Sequence, residues 1–309
     1  MTCAYKYISE ACVLQLLTWE KSFEATECAL KSVANGCAFQ PPRGKVKLPG
    51  KFDFIFLMPG YLKDDKYGAS ISCVFTKCVD NPKRNPPLPI VHTDVTLLDD
   101  NTGVTKAIIA GNTIMEWSTA AATTIATKYL HSGKPNKILA VIGASFQGRI
   151  HAIGLQKYFN FDEVAKELNS SFNRNVFIAT DTVEDAVKNA DVIVTATTAE
   201  QTLVKWEWVK KGAHINAIGV FPFNIELDAA TYRACKVYGD YWDGIKTELN
   251  HIEALGVKFE GQIGDVIVGN IPVPGPNDTT IFQSLGMGVE YAAIARLVYD
   301  LHESKPNCH

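Results

Sequence analysis

The chain has 309 residues, is 47% hydrophobic and 20% charged, and carries a formal net charge of -3. That is the balance of a soluble globular protein with one large domain or two ordinary ones. It excludes a general polyanion binder, since no lysine or arginine run forms a phosphate-tracking patch. It also excludes a membrane-spanning helix, since no apolar run approaches ~20 residues.

The eight cysteines, at 3, 12, 28, 37, 73, 78, 235 and 308, form no CxxC pair and join no histidine cluster. Free thiols in a reducing compartment are expected, and no metal site. The opening "MTCAYKYISEAC" lacks the basic-then-apolar pattern of a secretion signal, so a cytoplasmic location is expected.

In chain order, Ser9 is placed to cap a helix. Apolar residues then recur at helical spacing through Val13, Leu16, Leu17, Phe23 and Leu30, and Asn35-Gly36 ends the run. Two short helices or one bent helix satisfy the pattern. From Lys45 to about Ile109 the period becomes two, in "KVKLPGKFDFIFLMPGYL", "GASISCVF", "HTDVTLL" and "VTKAIIAG". This predicts a mostly antiparallel sheet, with Asp99 to Gly103 as the turn between two strands. "NPKRNPPLP" is too rich in proline for an element interior. Thr113 to Leu130 reads as a helix whose small residues allow close packing.

After Lys137, strands alternate with helices: "KILAVIG", "NVFIAT", "ADVIVTATT", "AHINAIG" and "KVYGDY". That is the signature of a parallel sheet covered on both faces. "SLGMGVEYAAIARLVYDLHES" reads as a final helix detached from this run, free to return to the first half.

The segment "KILAVIGASFQGRIHAIGLQKYFNFDEV" carries the main chemical signal. A dinucleotide turn asks for glycine at three places: for the tight turn, for approach of the pyrophosphate, and for helix–strand packing. Gly143 and Gly148 supply the first and third, with Gln147 between them. Ser145 holds the second and would crowd a pyrophosphate unless it bonds to it. A ribose-reading acid is due about 20 residues on, at the end of the next strand. That count falls in "DEVAKELNSSFNRN", which is not strand-like. If "VFIAT" is the second strand, Asp181 takes the role. Otherwise the second strand is missing. A working site and a remnant both remain open on these residues.

Other candidates have plain structural readings. His214 and His92 are expected to be hydrogen-bonded scaffold histidines. Of Trp206 and Trp208, one is expected in the core. Asp240, Asp243 and Glu248 suggest a solvated helix face. Cys73 and Cys78 have nothing nearby that would activate a thiolate.

Taken in order, these segments resemble the ornithine cyclodeaminase/mu-crystallin family over nearly the whole length. The resemblance is carried by "FQPPRGKVKLP", "LMPGYL", "IMEWSTAAATTIATKYL", the glycine turn, "VEDAVKNADVIVTATT", "WVKKGAHINAIG" and "TTIFQSLGMGVE". It implies an α/β fold with two parts. A Rossmann-like domain would span 119–283, and an α+β substrate and dimerisation domain would be built from both chain ends, 1–118 and 284–309. It also implies a homodimer, an NAD(P)H cofactor, and reactions that cyclise ornithine or reduce cyclic ketimines. The mu-crystallins also bind thyroid hormone.

Residue by residue, the resemblance makes Arg43 a bidentate partner for a substrate carboxylate. Where the family has a lysine near the reacting nitrogen, this chain has Ser70. Where it has a second arginine, this chain has Ser118. The cyclodeaminase aspartate is replaced by Val220, followed by Phe221, which argues against cyclodeaminase activity. Mu-crystallin-like members also lack that aspartate. Cofactor contacts fall to Gly143, Ser145, Gln147, Gly148, Asp181, Thr197 and Thr198. The stretch after the first Rossmann helix is shorter than the family's by about one strand.

Small or apolar residues thus stand where charged groups bind substrate and cofactor. The favoured expectation is a non-catalytic, mu-crystallin-like protein that holds a small, fairly apolar ligand. The alternatives are an active imine or ketimine reductase with a remodelled pocket, and an abundant structural protein that needs no site.

Overall fold

The computed structural model describes residues 5–47, 54–64, 68–78, 91–161, 180–197, 199, 201–219 and 226–305. The proline-rich stretch 81–89, most of "NVFIAT", and Thr198, Val220 and Phe221 lie outside them. The chain divides into two compact units, residues 1–118 with 286–309, and residues 119–285.

The first unit opens with a short strand, β1 (Lys6–Ile8), that the sequence pattern does not announce. Two helices follow, α1 (Glu10–Leu16) and α2 (Trp19–Ala34). They are two because each has its own cap. The Ser9 hydroxyl accepts from the Cys12 N–H, and the Thr18 hydroxyl accepts from the Lys21 N–H while Leu17 and Thr18 are extended. Such caps satisfy N–H groups that a helix start leaves open.

Strands β2 (Ala38–Phe39), β3 (Gly44–Lys47), β4 (Phe54–Asp64), β5 (Gly68–Cys78), β6 (Val91–Leu98) and β7 (Thr105–Ala110) come next. They form an antiparallel sheet in the order β1-β7-β6-β5-β4-β2, with β3 also on β4 and β1 joining β7 in parallel. The β6–β7 turn is fixed by Asp99, whose carboxylate accepts from the Asn101 and Thr102 N–H groups and pairs with Lys106 at 2.9 Å.

The period of two sorts the side chains. Val74, Val95, Leu97 and Ile109 face a core shared with α1, α2 and the C-terminal helix Gly288–Ser304. Each such side chain stabilises the unit by roughly 1.5–3 kcal/mol. Helix α3 (Asn112–Leu130) runs out of this unit. The division into units falls after Ser118, within the helix.

The second unit is a parallel sheet of β8 (Leu139–Ile142), β9 (Val192–Thr195), β10 (His214–Ala217), β11 (Lys236–Gly239), β12 (Phe259–Gln262) and β13 (Thr280–Gln283). Their order is β12-β11-β13-β10-β9-β8, and every pair is parallel. Strands β9, β10 and β13 are buried along their whole length, as a sheet covered on both faces requires. Helices α4 (Phe146–Phe159), α5 (Val183–Val187), α6 (Ala229–Ala234), α7 (Trp242–Glu248), α8 (Asn250–Glu253) and α9 (Ile263–Ile267) connect them.

This is a Rossmann-like α/β sheet. In the doubly wound order, the second strand pairs on the side of the first strand opposite the fourth. That side of β8 has no strand partner among the described residues. The chain between α4 and α5 has only residues 162–179, outside the described set, in which to supply one.

Two expectations are corrected here. Neither Trp206 nor Trp208 is buried. They form a single 3-10 turn, and the Lys205 ammonium lies 5.1 Å from the Trp208 ring. Asp240 is not on a solvated helix face. It is 1% exposed, before α7 begins, and its carboxylate accepts from the Leu285 N–H.

Candidate functional site

The glycine turn links β8 to α4. Gly143 has φ +114, and a Cβ there would stand 2.5 Å from the Ala196 carbonyl oxygen. The position therefore demands glycine twice, for its backbone and for the closeness of β9. At Gly148 a Cβ would fall 1.9 Å from the Gly143 oxygen, so the first turn of α4 lies against the end of β8.

Ser145 needs no glycine conformation, with φ -70 and ψ 171. Its hydroxyl donates to the Ala196 oxygen at 3.0 Å and accepts from the Gly148 N–H at 3.5 Å. The serine is thus the cap of α4, its hydroxyl engaged within the turn. The N–H groups of Phe146 and Gln147 keep no intrahelical partner, and the helix dipole makes this end receptive to an anion. The Gln147 side-chain oxygen is buried without a hydrogen-bond partner.

Around the turn, Thr197 follows the end of β9 and gives both its N–H and its hydroxyl to Glu226, each at 2.7 Å. Gly219, past the end of β10, gives its N–H to the other oxygen of Glu226 at 3.0 Å. Asp181 is exposed, just ahead of α5. Its carboxylate is open to water.

Of the candidate substrate residues, Arg43, Ser70 and Ser118 lie in the first unit, and Val220 and Phe221 lie outside the described residues. Gln40 anchors the segment before Arg43, accepting the Val289 N–H at 3.0 Å. The Arg43 guanidinium lies 5.8 Å from the Phe56 ring centre. Burial first and Glu290 second raise the Tyr291 phenol well above its usual range, with Arg43 and a hydrogen bond shared with the Ser118 hydroxyl pulling it partly back. Arg43, Tyr291 and Ser118 therefore share one neighbourhood.

Ser70 is 1% exposed and its hydroxyl donates to the Ala292 carbonyl at 3.1 Å. Ser118 is fully buried and donates to the Met115 carbonyl at 3.1 Å. Both positions that the family resemblance makes cationic are thus interior, and their hydroxyls bond to backbone. Cys73 has its thiol pushed up by burial, away from thiolate chemistry.

The buried histidines are scaffold. His214 bonds to Thr280 and Asn216, and Asn216 reaches Thr127, which ties β10, β13 and α3 together. His151 donates from Nδ1 to the Gln147 carbonyl at 2.7 Å, and burial lowers its pKa to about 4.

One group escaped sequence reasoning although its signal was present. Glu116 interrupts the apolar run "TIMEWSTAAA". It is buried beside Glu10, whose carboxylate accepts the Thr113 N–H at 2.7 Å. Burial first and Glu10 second raise its pKa to about 8. The folded chain then keeps a proton that the unfolded chain releases above pH ~4.5. Stability from this group is complete below that pH and declines as pH rises toward 8. Glu116→Gln removes the cost, so at pH 8 the variant should be more stable by roughly 2 kcal/mol once the shift is discounted for solvent screening of an incompletely buried group, and at pH 4 unchanged. Urea midpoints at the two pH values check this.

The parallel sheet and its glycine turn define an α/β chain of the dinucleotide-binding type with a second, mainly antiparallel unit. The sequence model of the ornithine cyclodeaminase/mu-crystallin family matches residues 7–306, and the chain belongs to that family. It is 33% identical to the ketimine reductase mu-crystallin of Macropus fuliginosus, over 89% of this chain and 90% of that protein. It is 34% identical to the ketimine reductase mu-crystallin of Mus musculus, over 86% of each. Among solved structures, an archaeal alanine dehydrogenase dimer with bound NAD matches with a TM-score of 0.87 and 26% identity, covering 98% of this chain and 97% of that one. No described helix is long and apolar enough to cross a membrane.

Proposed function

We propose that this chain is a non-catalytic, mu-crystallin-like protein of the cytoplasm. It acts as a homodimer, holds a small molecule, and keeps a dinucleotide site while lacking the cations an imine reductase sets against its substrate. The observation that carries the proposal is the pair Ser70 and Ser118. Each is buried and bonded to a backbone carbonyl, so neither presents charge to a ligand. Arg43 remains as a carboxylate partner, beside the face of Phe56.

The residues of the turn fit a dinucleotide. Gly143 and Gly148 let the turn close tightly on β8 and β9, the start of α4 offers N–H groups, and the Gln147 oxygen, without a partner among the described residues, can accept from a ligand hydroxyl. Thr197 would line the same rim, with Thr198 as a further candidate, while Val220 and Phe221 are candidates for the substrate side. A bound nicotinamide supplies or accepts hydride. What the chain's own residues provide is anion binding at the turn and, through Arg43, orientation of a carboxylate.

Asp181 would read the adenosine ribose and repel a 2′-phosphate. NADH should therefore bind about tenfold tighter than NADPH, and Asp181→Asn should erase most of that preference.

A second reading, an active reductase, is favoured by the same turn, because the Ser145 hydroxyl is engaged internally. Titration with NADH and NADPH, followed by nicotinamide fluorescence and calorimetry, tests both. Micromolar NADH binding without NADH consumption on a panel of cyclic ketimines is the expected result. Turnover of any of them overturns the non-catalytic reading. Absence of binding up to millimolar concentration, in a folded dimer, removes the dinucleotide site.

A further inference from the structure

Glu226 is 1% exposed, yet its carboxylate faces no cation within ion-pair distance among the described residues. A buried charge is costly unless it is held by hydrogen bonds. Here three hold it: the Thr197 N–H at 2.7 Å, the Thr197 hydroxyl at 2.7 Å and the Gly219 N–H at 3.0 Å. Charge-assisted bonds of this kind are about twice as strong as neutral ones.

The donors come from two strand ends. β9 and β10 are neighbours, with Ala217 opposite Thr195, and Thr197 and Gly219 each lie two residues beyond the paired ends. A Cβ on Gly219 would be 2.6 Å from the Glu226 carboxyl carbon, so only glycine admits the carboxylate there. Ala196, next to Thr197, accepts the Ser145 hydroxyl and packs on Gly143. One connected set of backbone contacts thus runs from the glycine turn through Thr197 and Glu226 to Gly219.

In open parallel sheets, ligands bind beyond the carboxyl ends of the strands, one nucleotide to each side of the first strand. The ribose-reading acid belongs to the half that follows α4, which leaves the β9–β10 side for the nicotinamide. We propose that Glu226 is a positioning residue for the nicotinamide end of a dinucleotide, acting through the backbones of Thr197 and Gly219. This rests on the reading that the second unit takes a dinucleotide. Three of its acceptor sites are taken by Thr197 and Gly219 and the residue is 1% exposed, so it acts on placement rather than as an acid or base.

The test compares NADH with ADP-ribose, which lacks the nicotinamide, on the full-length protein and Glu226→Gln. The glutamine loses the charge and turns one acceptor into a donor that faces an N–H. NADH affinity should fall about tenfold while ADP-ribose affinity changes less than about twofold. Amide exchange at Gly219 or Thr197 should quicken. Thr197→Val, which removes the hydroxyl donated to Glu226 together with its acceptance of the Ala199 N–H but keeps the Thr197 N–H bond to Glu226, should show the same selectivity to a smaller degree, and it serves if Glu226→Gln does not fold.

Equal loss for both ligands would make Glu226 a purely structural brace and overturn the inference. So would unchanged NADH affinity. If the unaltered protein binds neither ligand, the dinucleotide reading itself fails and the inference falls with it. That result is distinct from binding that ignores the substitution.

Discussion

Replacing Ser70 by lysine is expected to destabilise the protein by about 3–5 kcal/mol, the usual cost of an uncompensated buried charge. The resemblance to the family makes this the first position at which to restore the family's charged residue. The structure argues against that substitution. Ser70 is 1% exposed, and its hydroxyl bonds to the Ala292 carbonyl on the C-terminal helix. A lysine there loses that bond and must either lose its proton or push the helix from the sheet. Close packing on this face leaves little room, since Gly60 of β4 and Gly288 at the helix start approach so closely that a Cβ on Gly288 would be 2.7 Å from the Met58 and Pro59 carbonyl oxygens.

Ser70→Ala is the control, with an expected cost of about 1 kcal/mol for the single hydrogen bond. Urea unfolding at constant m-value measures both. A lysine variant as stable as its parent would mean that the site opens to solvent. If that variant consumed NADH on a ketimine and its parent did not, the charge at this position alone would separate the two.

The sequence made the architecture legible where a pattern was long. The change from period two to strand–helix alternation placed both sheets, and the detached final helix does join the first unit. Very short strands were not legible. β13, "TIFQ", and β12, "FEGQ", are four residues each, and no periodicity separates so brief a run from a loop. β1 was missed for the same reason.

At the site, the glycines and Ser145 could be read because their meaning is local. The internal engagement of the Ser145 hydroxyl could not, because its acceptor, Ala196, is 51 residues away. Glu226 was invisible for that reason too. Its partners lie 29 and 7 positions off, and nothing in "FNIELD" marks a glutamate that will be buried. Asp240 misled because acids at helical spacing imply water, whereas its partner Leu285 is 45 residues on. The non-catalytic reading itself came from the resemblance, residue by residue.

Gly143→Ala is expected to abolish dinucleotide binding and to cost about 3 kcal/mol or more of stability, by two effects that can be separated. The first is backbone strain. Gly143 has φ +114, beyond the left-handed helical region that asparagine or aspartate sometimes visits. The second is contact. The new methyl would be 2.5 Å from the Ala196 oxygen and 3.1 Å from a Thr197 side-chain carbon. Relief requires β9 to move away from the turn, which pulls on the Ser145–Ala196 bond and on the Thr197–Glu226 bonds.

Gly133→Ala isolates the first effect. Gly133 also has positive φ, +71, but a Cβ there meets nothing within 4 Å. It should cost about 1 kcal/mol and leave binding intact. Thermal unfolding and NADH titration of the two variants side by side give the answer. If Gly143→Ala bound NADH as its parent does, the turn would not be the anion site, and the dinucleotide reading would lose its structural basis. If it lost binding while unfolding no more easily than Gly133→Ala, the turn would be tuned for its ligand rather than for the fold.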